Sequence, residues 1–467
     1  VRMIVLLRRV VLACWALAGL SSKLTRASRC SVAVVGAGPG GVYSAWRLAG
    51  GGGDSDDARF DGNQICVFER LSRVGGRILS VRNQGPMNDL TVDLGAYRYP
   101  RTPMDVYTEH VYAPLTAALV ERALNLPTAP YEPGTNSSMR KIVDGQGQNA
   151  GFAAFVERMY NQSVKAGVRY FFGTAVRSIG VPPGGLDSGN PLSLVLKNGT
   201  SVRAAHILLN LPMRPLTRLL YNSDPSLFPN GYPSVLTDVR VLNGVKLYVH
   251  YSDAWWRNYL NLTFGNFNTD DSGDAHPPLA GRYHDGHTRG AVGESRGFLE
   301  AVYKFSDDTY GFYSPFQTSM DEPYVTLERS NPTSRDLLDS VHMALVKYHA
   351  EELEKVGMKE KVLSSPPNLG LMSAWGSDAA GFGGAIHHTL LRVPFNTTGR
   401  ALQPIAGAPI YVANEAYGTI TYPNGTTGAG HGWAECSLIM AENIISRIFG
   451  VSRPNWINES VYDKFVM

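Results

Sequence analysis

Three glycines near the start of the chain have the spacing of a phosphate-binding turn. The run SVAVVGAGPGGVYSAWRL predicts a short apolar strand, a turn that carries Gly36, Gly38 and Gly41, and then a helix. Glycine lets the backbone approach a pyrophosphate, and the N–H groups and dipole at the helix N-terminus bind its oxygens. The chemistry expected here is therefore dinucleotide binding.

An acid follows on the next predicted strand. The segment QICVFER ends in Glu69, which is placed to accept hydrogen bonds from a ribose hydroxyl. The interval from Gly41 to Glu69 exceeds the usual ~20 residues. The glycine- and acid-rich stretch 50–61 explains the excess as an insertion that loops out between helix and strand.

A single arginine, Arg98, lies within the segment VDLGAYRYP, after the nucleotide-binding unit. A guanidinium can hold a carboxylate through two parallel charge-assisted hydrogen bonds. If Arg98 faces the bound cofactor, the expected substrate is an amino acid rather than a bare amine.

The stretch ERLSRVGGR, from Glu69 to Arg77, resembles the E-x-x-x-R-x-G-G-R segment of the flavin amine oxidase superfamily. In that superfamily the second arginine, here Arg77, lies along the flavin diphosphate. The resemblance implies FAD as the cofactor.

The C-terminal segment resembles the last flavin-binding segment of the same superfamily. There the acid after a strand binds the ribityl chain, which maps to Glu415, and a helix N-terminus at Ala434 and Glu435 faces the pyrimidine edge of the flavin. A helix dipole in that position stabilises negative charge on the reduced ring. The predicted FAD contacts are Gly36, Gly38, Pro39, Gly40, Gly41, Glu69, Arg70, Gly75, Gly76, Arg77, Gly95, Ala96, Tyr97, Val176, Trp375, Glu415, Trp433, Ala434 and Glu435.

Two details resemble the L-amino acid oxidase branch. The segment LGAYRYP is similar to its L-G-x-x-R-x-P motif, whose arginine grips the substrate carboxylate. The run His431-Gly432-Trp433 is similar to its H-G-W motif, in which the tryptophan packs beside the substrate and the glycine carbonyl accepts from the amine. Monoamine and polyamine oxidases usually lack that arginine.

Three further matches lie in the middle of the chain. Lys246, within VLNGVKLYVHYSDAWW, resembles the lysine that holds a water near flavin N5, and its apolar neighbours predict burial rather than a solvated edge. Trp375 opens a segment similar to the flavin-lining W-x-x-D-x-x-x-x-G-G, and Val176 resembles the residue that contacts adenine through its backbone. Tyr283 is a candidate second partner of the substrate carboxylate, with a purely structural tyrosine as the alternative.

The sequence departs from the superfamily pattern in two places. Asn414 stands where relatives usually have glycine, which places close approach of the backbone to the cofactor in doubt. The loop 416–430 is longer than the family turn. Its Tyr417 and Tyr422 could form a lid over the substrate, or the loop could be an inert surface feature.

The resemblance implies an α/β fold, in which a Rossmann-like FAD-binding domain is interleaved with a mixed-sheet substrate domain and a helical region. The FAD-binding domain is expected from 31–100, 195–245 and 400–450. The substrate and helical domain is expected from 101–194 and 246–399, and 451–467 is a C-terminal tail. Within the helical region, the apolar period of 334–356 predicts a helix whose stripe includes Leu337, Leu345 and Tyr348.

Residues 1–30 are expected to be a targeting peptide. Two arginines precede an apolar run at 10–20 that is too short to span a bilayer, which favours a secretory signal over an organelle transit peptide. Seven N-glycosylation sequons also favour secretion, at Asn136, Asn161, Asn198, Asn261, Asn396, Asn424 and Asn458. The first thirty residues carry six Lys/Arg and no acids, so the rest of the chain has a formal charge of +3 − 6 = −3. Neither nucleic acid nor a membrane surface is therefore expected as a partner.

The cysteines and histidines predict no metal site and no disulfide framework. Cys66 lies in a predicted buried strand and Cys436 in a predicted buried helix, while Cys30 lies beyond the apolar run of the leader. The remaining candidates are two histidine pairs without supporting ligand spacing, expected to be solvated loop residues: His284 with His287, and His387 with His388.

The expected function is FAD-dependent oxidative deamination of L-amino acids. The carboxylate would lie on Arg98 and the amine near the Gly432 carbonyl, with hydride transfer to flavin N5. Dioxygen would reoxidise the flavin and give hydrogen peroxide, while hydrolysis, with the water held by Lys246, gives a 2-oxo acid and ammonia. A monoamine or polyamine oxidase and a non-catalytic flavoprotein are the alternatives. Homo-oligomerisation stays open.

Overall fold

The computed structural model describes residues 29–53, 58–84, 87–106, 109–131, 138–269, 277–284, 287–291, 293–319, 322–376, 382–389, 397–421, 427–429 and 431–466. Residues 1–28 of the predicted leader, and Tyr422 of the 416–430 loop, lie outside the described residues. Within these ranges, no helix has the length and apolar character that a membrane span requires.

The described residues form strands and helices throughout the chain. The strands are β1 (Arg29–Val35), β2 (Ile65–Phe68), β3 (Ser80–Gln84), β4 (Met87–Asp93), β5 (Tyr99–Pro100), β6 (Met104–Val106), β7 (Glu109–Val111), β8 (Thr128–Pro130), β9 (Met139–Ile142), β10 (Arg169–Phe171), β11 (Val176–Gly180), β12 (Leu192–Leu196), β13 (Ser201–Leu209), β14 (Val239–Leu242), β15 (Gly244–Tyr251), β16 (Asn266–Asn268), β17 (Ala280–Arg282), β18 (Thr288–Arg289), β19 (Arg296–Lys304), β20 (Val325–Glu328), β21 (Leu369–Trp375), β22 (Ile386–Thr389), β23 (Ile410–Val412), β24 (Thr419–Thr421) and β25 (Thr427–Ala429). The helices are α1 (Pro39–Leu48), α2 (Pro114–Ala118), α3 (Ala154–Lys165), α4 (Met213–Tyr221), α5 (Trp255–Asn258), α6 (Asp307–Tyr313), α7 (Pro332–Tyr348), α8 (Ala350–Lys355), α9 (Lys359–Leu363), α10 (Thr397–Leu402), α11 (Ala434–Arg447) and α12 (Glu459–Tyr462).

The first sheet is the predicted Rossmann-like layer. Its order is β10-β2-β1-β13-β12-β11, and β23 also pairs with β13. Strands β10, β2, β1, β13 and β23 run parallel, whereas β12 and β11 are antiparallel additions. The successive residues Val32, Ala33 and Val34 of β1 are all fully buried. A parallel strand covered on both faces needs such an uninterrupted apolar run.

The pairing of β10 with β2, and of β12 with β13, moves a predicted domain boundary. The sequence assigned 101–194 to the substrate domain, yet β10, β11 and most of β12 lie in that segment and join the first sheet. The cofactor-binding sheet therefore takes more of the chain than expected. Hydrophobic periodicity identifies such strands, but it does not say which sheet an added edge strand joins.

The second sheet is antiparallel, with the order β16-β17-β19-β15-β21-β20 and β18 on β19. One face of β15, through Leu247 and Val249, packs into a core that includes α7. The opposite face, through Tyr248, packs against the hairpin β3–β4. Because side chains alternate across a strand, Lys246 lies on the same face as Tyr248 and points toward the first half of the chain.

The predicted helix at 334–356 is present, but it is divided. Helix α7 ends at Tyr348, His349 leaves the helical conformation at φ −100° and ψ 18°, and α8 follows. Leu337 and Leu345 are buried as predicted, whereas Tyr348 is 44% exposed. Tyr348 is the last residue of α7, just before the break, and its exposure shows that it is not a core residue.

A disulfide joins Cys30 on β1 to Cys66 on β2, which the sequence did not predict. The two strands are parallel neighbours, and the two Cα atoms are 6.0 Å apart, within the range that a disulfide spans. Two cysteines 36 residues apart carry no pairing signal in a single sequence, because only the fold brings the strands together. Cys436 is buried in α11, as predicted, and it is not part of this disulfide.

Replacement of both Cys30 and Cys66 by alanine should lower the free energy of unfolding by about 2–4 kcal/mol, because the crosslink restricts the unfolded chain. Urea unfolding, followed by circular dichroism, measures the loss. A reductant should destabilise the parent protein and leave the double variant unchanged. Alkylation of Cys30 and Cys66 in denatured, unreduced protein would contradict the pairing.

Candidate active site

The glycine turn packs directly against the end of β13. Gly36 adopts φ +97°, and a Cβ atom built there would lie 2.3 Å from the carbonyl oxygen of Asn210. A Cβ on Gly38 would lie 2.7 Å from the Asn210 side-chain oxygen, and one on Gly40 would lie 2.4 Å from the hydroxyl of Ser437. Glycine is therefore required at these positions by close contacts within the protein, with the Asn210 backbone at Gly36 and with side chains at Gly38 and Gly40.

Asn210 and Ser437 are site residues that sequence reasoning missed. The side-chain amide of Asn210 donates to the Ser437 hydroxyl at 3.0 Å and also to the backbone carbonyl of Ala413. Both side chains line the same cavity as Gly36 and Gly38. The available signal was a polar residue directly after the buried strand β13, at the carboxyl edge where α/β sheets bind ligands.

Glu69 clamps the glycine turn to the loop that follows β2. One carboxylate oxygen accepts from the N–H of Ala37 at 2.8 Å, and the other accepts from the N–H of Leu71 at 2.8 Å. Glu69 also lines the cavity. Each oxygen keeps a second lone pair, so the predicted acceptance from a ribose hydroxyl remains chemically open.

Arg77 and Glu415, predicted to hold different parts of the cofactor, form an ion pair with each other. The guanidinium makes two hydrogen bonds to the carboxylate, at 3.0 and 2.6 Å. The ring and backbone N–H of His387 also donate to Glu415, at 2.7 and 3.1 Å. Burial by itself would raise the pKa of Glu415, but Arg77 and His387 outweigh it and hold this pKa well below its usual range.

His387 was expected to be a solvated loop residue, and that expectation is wrong. Its side chain is fully buried, because it fills the space between Glu415 and the start of α4. Its Nε2 lies 3.2 Å from the backbone N–H of Met213 and must accept from it. The ring proton is therefore on Nδ1, which donates to Glu415.

The expectation of solvated histidines fails at two other positions as well. His284 stacks on Phe264 with ring centroids 4.7 Å apart, and His287 lies 3.2 Å from the side-chain amide of Asn149. Burial lowers the pKa of His284 to about 4 and that of His287 to about 3. Among the described residues, no cluster of three metal-ligating side chains occurs.

Lys246 is buried, as its neighbours in the sequence predict. Its ammonium donates to the carbonyl of Asp93 at 3.0 Å, lies 3.8 Å from the carboxylate of Glu300 and sits 3.7 Å above the ring of Tyr97. Burial lowers the pKa of Lys246 to about 8, although Glu300 and Asp93 act in the opposite direction. Its side chain lines the cavity beside Tyr303.

Arg98 lies in an aromatic cluster behind this part of the cavity. The cluster consists of Tyr97, Tyr131, Tyr303 and Trp433. The half-buried guanidinium of Arg98 stacks on Tyr97 at 4.9 Å and on Tyr131 at 4.7 Å, measured to the ring centroids. Arg98 itself does not line the cavity, but Tyr303 and Trp433 of the same cluster do.

A second buried arginine, Arg282, joins this cluster and was missed by sequence reasoning. It donates to the hydroxyl of Tyr97 at 2.8 Å and stacks on Tyr303 at 4.7 Å. From the sequence, Tyr283, the next residue, was a candidate carboxylate partner, with a purely structural tyrosine as the alternative. Tyr283 points to the opposite face, where its hydroxyl lies 2.9 Å from His349, because neighbouring side chains alternate across the sheet.

Glu435 also points away from the cavity. Its carboxylate accepts from the backbone N–H groups of Leu115 and Thr116 at 2.9 and 2.7 Å, at the first turn of α2. Burial raises the pKa of Glu435 to about 7, and the hydrogen bonds from Thr116 and Leu115 limit the rise. The start of α11 contributes Ala434 to the cavity, but not the Glu435 side chain.

Asn414 and Tyr417 lie where the sequence departs from the superfamily pattern, and Asn414 lines the cavity. The Asn414 side chain is buried and folds onto the protein, accepting from the N–H of Ala416 at 2.7 Å and donating to the carbonyl of Leu211. Tyr417 is buried, and its hydroxyl donates to the carbonyl of Leu236 at 2.9 Å. Tyr417 is therefore a core residue and not part of a lid.

One cavity of about 800 Å³ connects the two halves of the site. This volume lies in the range of cofactor pockets, roughly 300–1,000 Å³. Five of the predicted cofactor contacts do not line it: Gly40, Gly41, Gly75, Tyr97 and Glu435. The others do: Gly36, Gly38, Pro39, Glu69, Arg70, Gly76, Arg77, Gly95, Ala96, Val176, Trp375, Glu415, Trp433 and Ala434. A glycine cradle at one end and an apolar wall at the other fit a dinucleotide that carries a flavin.

Two family profiles match the chain. The profile of flavin containing amine oxidoreductases matches residues 134–379, and that of an NAD(P)-binding Rossmann-like domain matches residues 34–113. The protein belongs to the flavin-containing amine oxidoreductase family. It is therefore an oxidoreductase with FAD as its cofactor, and the predicted superfamily and α/β fold are confirmed.

The individual relatives give information about the fold of the chain but not about its substrate. Achacin of Lissachatina fulica is 40% identical over 96 residues, which are 19% of this chain and only 16% of achacin. A triple mutant of putrescine oxidase with redesigned cofactor binding covers 91% of this chain and 99% of its own, at 14% identity and a TM-score of 0.54. Wild-type putrescine oxidase bound to putrescine covers 90% and 99%, at 13% identity and a TM-score of 0.50. Likeness at such low identity establishes the fold alone.

The third glycine of the turn offers a test of the cofactor cradle. A Cβ on Gly41 would lie 2.1 Å from the carbonyl oxygen of Gly36, a backbone atom that can move only if the turn opens. Gly41→Ala should therefore cost about 1–3 kcal/mol of stability and weaken FAD binding at least about tenfold. Thermal unfolding and FAD fluorescence titration measure the two effects.

Gly311→Ala in α6 is the matched control, because a Cβ there meets no atom within 4 Å. This substitution should be neutral or stabilising by up to about 1 kcal/mol. Equal thermal stability and equal FAD affinity of the Gly41→Ala and Gly311→Ala variants would contradict the packing described for the turn.

Glu435 provides a pH test of its burial. Its pKa is about 7 in the folded protein against an ordinary value of 4.5, so the fold favours the protonated carboxyl. The stability that this preference contributes is present below pH 4.5 and is lost as the pH rises to about 7. We therefore compare the free energy of unfolding of the parent with that of the Glu435→Gln variant. The parent value minus the variant value should decrease by on the order of 3 kcal/mol across this interval. Urea unfolding measures both values. A difference between parent and variant that stays the same at all pH values would contradict the raised pKa of Glu435.

Proposed function

We propose that the protein oxidises L-amino acids, with Arg98 as the residue that selects for the substrate carboxylate. The observation that carries this proposal is the charge around the aromatic cluster. Arg98, Lys246 and Arg282 all contact its rings. Three cations at the end of the cavity that Lys246 and Trp433 line favour an anionic substrate group.

The acids near these cations do not present a site for an amine. Glu300 is fully buried beside Lys246 at 3.8 Å. The carboxylate of Asp93 accepts from the hydroxyl of Ser80 at 2.5 Å and from the N–H of Phe152 at 3.0 Å. A polyamine, which carries two or more positive charges, would meet net repulsion here, whereas the carboxylate of an amino acid would be attracted.

The residues of the chain supply binding and orientation. Arg98 would bind the substrate carboxylate through two parallel hydrogen bonds, which requires it to leave one of its two tyrosine rings. The carbonyl of Gly432 would accept from the substrate amine, and Trp433 would form the wall beside the side chain. Lys246 would hold the water that hydrolyses the imino acid to a 2-oxo acid and ammonia. Bound FAD supplies the redox chemistry, accepting a hydride equivalent from the substrate and passing two electrons to dioxygen, which yields hydrogen peroxide.

We also propose that the protein is secreted and glycosylated. Four sequon asparagines in the described ranges have exposed side chains, namely Asn161, Asn198, Asn261 and Asn458. The disulfide between Cys30 and Cys66 suits the oxidising secretory route. The apolar run after two arginines at the start of the chain is consistent with a signal peptide for that route.

Arg98→Ala tests the substrate class. It should lower kcat/KM for phenylalanine by a loss of ~2–4 kcal/mol of transition-state binding, about 30- to 1,000-fold, mainly through KM. Phenethylamine is the same molecule without the carboxylate, so its slow turnover should be unchanged by the substitution. A peroxide assay with both compounds gives the comparison.

Arg101→Ala is the control, because Arg101 is an exposed arginine three residues away that pairs with Glu121. It should leave both substrates unaffected. Turnover of putrescine or spermine, but not of leucine or phenylalanine, would instead establish an amine or polyamine oxidase. A purified yellow protein that neither amino acids nor amines bleach without oxygen would establish a non-catalytic flavoprotein.

A further inference from the structure

Four of the solvent-exposed cations that line the cavity lie in or next to β11, β12 and α4. Arg177 lies in β11, Lys197 directly follows β12, and Arg214 and Arg218 lie in α4. All four side chains line the cavity and are also exposed to solvent, so they lie at its mouth. We call these four residues the cationic collar.

The fold brings the two pairs together. Lys197 donates its backbone N–H to the carbonyl of Ala175 at 2.8 Å, which places Lys197 beside the start of β11 and hence beside Arg177. Arg214 and Arg218 are four residues apart and share one face of α4. The turn after α4 is joined to β11, because Ile179 donates to the hydroxyl of Ser223 at 2.8 Å.

The charges of the cationic collar are not balanced within the described part of the chain. The ion pairs found there include none of its four members. Among the described residues, two acids line the cavity, Glu69 and Glu415, and both accept hydrogen bonds from other groups. Like charges four residues apart on a helix destabilise it by roughly 0.2–0.5 kcal/mol, so Arg214 and Arg218 do not serve the stability of α4.

We propose that the cationic collar attracts FAD to the cavity through the negative charge of its diphosphate. The chain from residue 31 onward has a formal charge of −3, so a diphosphate approaching elsewhere meets no net attraction. A cluster of one sign at the mouth of a cleft raises the association rate of an oppositely charged ligand by roughly 10- to 1,000-fold. This role differs from that of the glycine turn, which holds the diphosphate after binding.

The test is the association rate of FAD with the full-length apoprotein, followed by the quenching of flavin fluorescence in a stopped-flow instrument. Two neutralising pairs are compared with the parent: Arg177→Gln with Lys197→Gln, and Arg214→Gln with Arg218→Gln. Each should lower the association rate about tenfold at low ionic strength. The difference should disappear near 1 M salt, where the Debye length falls to about 3 Å. The dissociation rate should not change.

Lys347→Gln with Lys355→Gln is the matched control, because these lysines are exposed, lie on α7 and α8 and do not line the cavity. This pair removes the same net charge and should leave the association rate unchanged. An unchanged rate in both collar pairs would overturn the proposal. So would a loss that persists at high salt, or a faster dissociation, since either would mean direct contact rather than long-range attraction. The readout is FAD binding, so it does not depend on which substrate the enzyme oxidises.

Discussion

Two adjacent backbone carbonyls, those of Asp93 and Leu94, hold the two halves of the active site in register. Lys246 of the second sheet donates to the first at 3.0 Å, and Ser373 and Trp375 donate to the second at 2.8 and 2.9 Å. These contacts fix the end of β4, and with it the segment that carries Arg98, against the sheet that contributes Lys246. An arginine four residues beyond Leu94 can therefore reach the same aromatic cluster as Lys246.

The motif-bearing parts of the site could be predicted from the sequence, because each motif is local. The glycine turn, Glu69 and Arg77 lie within one strand–helix–strand unit, so their spacing alone places them at one edge of the first sheet. Lys246 could also be predicted as buried, from its apolar neighbours. Arg282 could not be predicted, because its role depends on a contact with Tyr97, 185 positions away in the chain. Asn210 had one local signal, its position directly after the buried strand β13, but its partner Ser437 lies 227 positions away.

The errors of prediction have a common physical origin. Motifs fix the path of the backbone, but they do not fix which polar group pairs with which. Arg77 and Glu415 both line the cavity, but the sequence did not predict that they also bind one another across 338 positions. Glu435 was placed correctly at the start of α11, but its side chain satisfies the N–H groups of α2. Buried polar groups need partners, and those partners come from tertiary packing that one sequence does not display.

The charges along the cavity suit the molecule that it must bind. FAD is anionic only at its diphosphate, and the glycine turn with its helix N-terminus meets that group. The ion pair of Arg77 and Glu415 is nearly neutral as a unit, which suits the uncharged ribityl chain predicted beside it. The part of the cavity near Lys246 and Arg98 is again positively charged, and the carboxylate of the proposed substrate would lie there. An amine at that end would have to displace or neutralise these cations. The charge pattern therefore favours the proposed amino acid substrate, although the solved structures with a similar fold include putrescine oxidases.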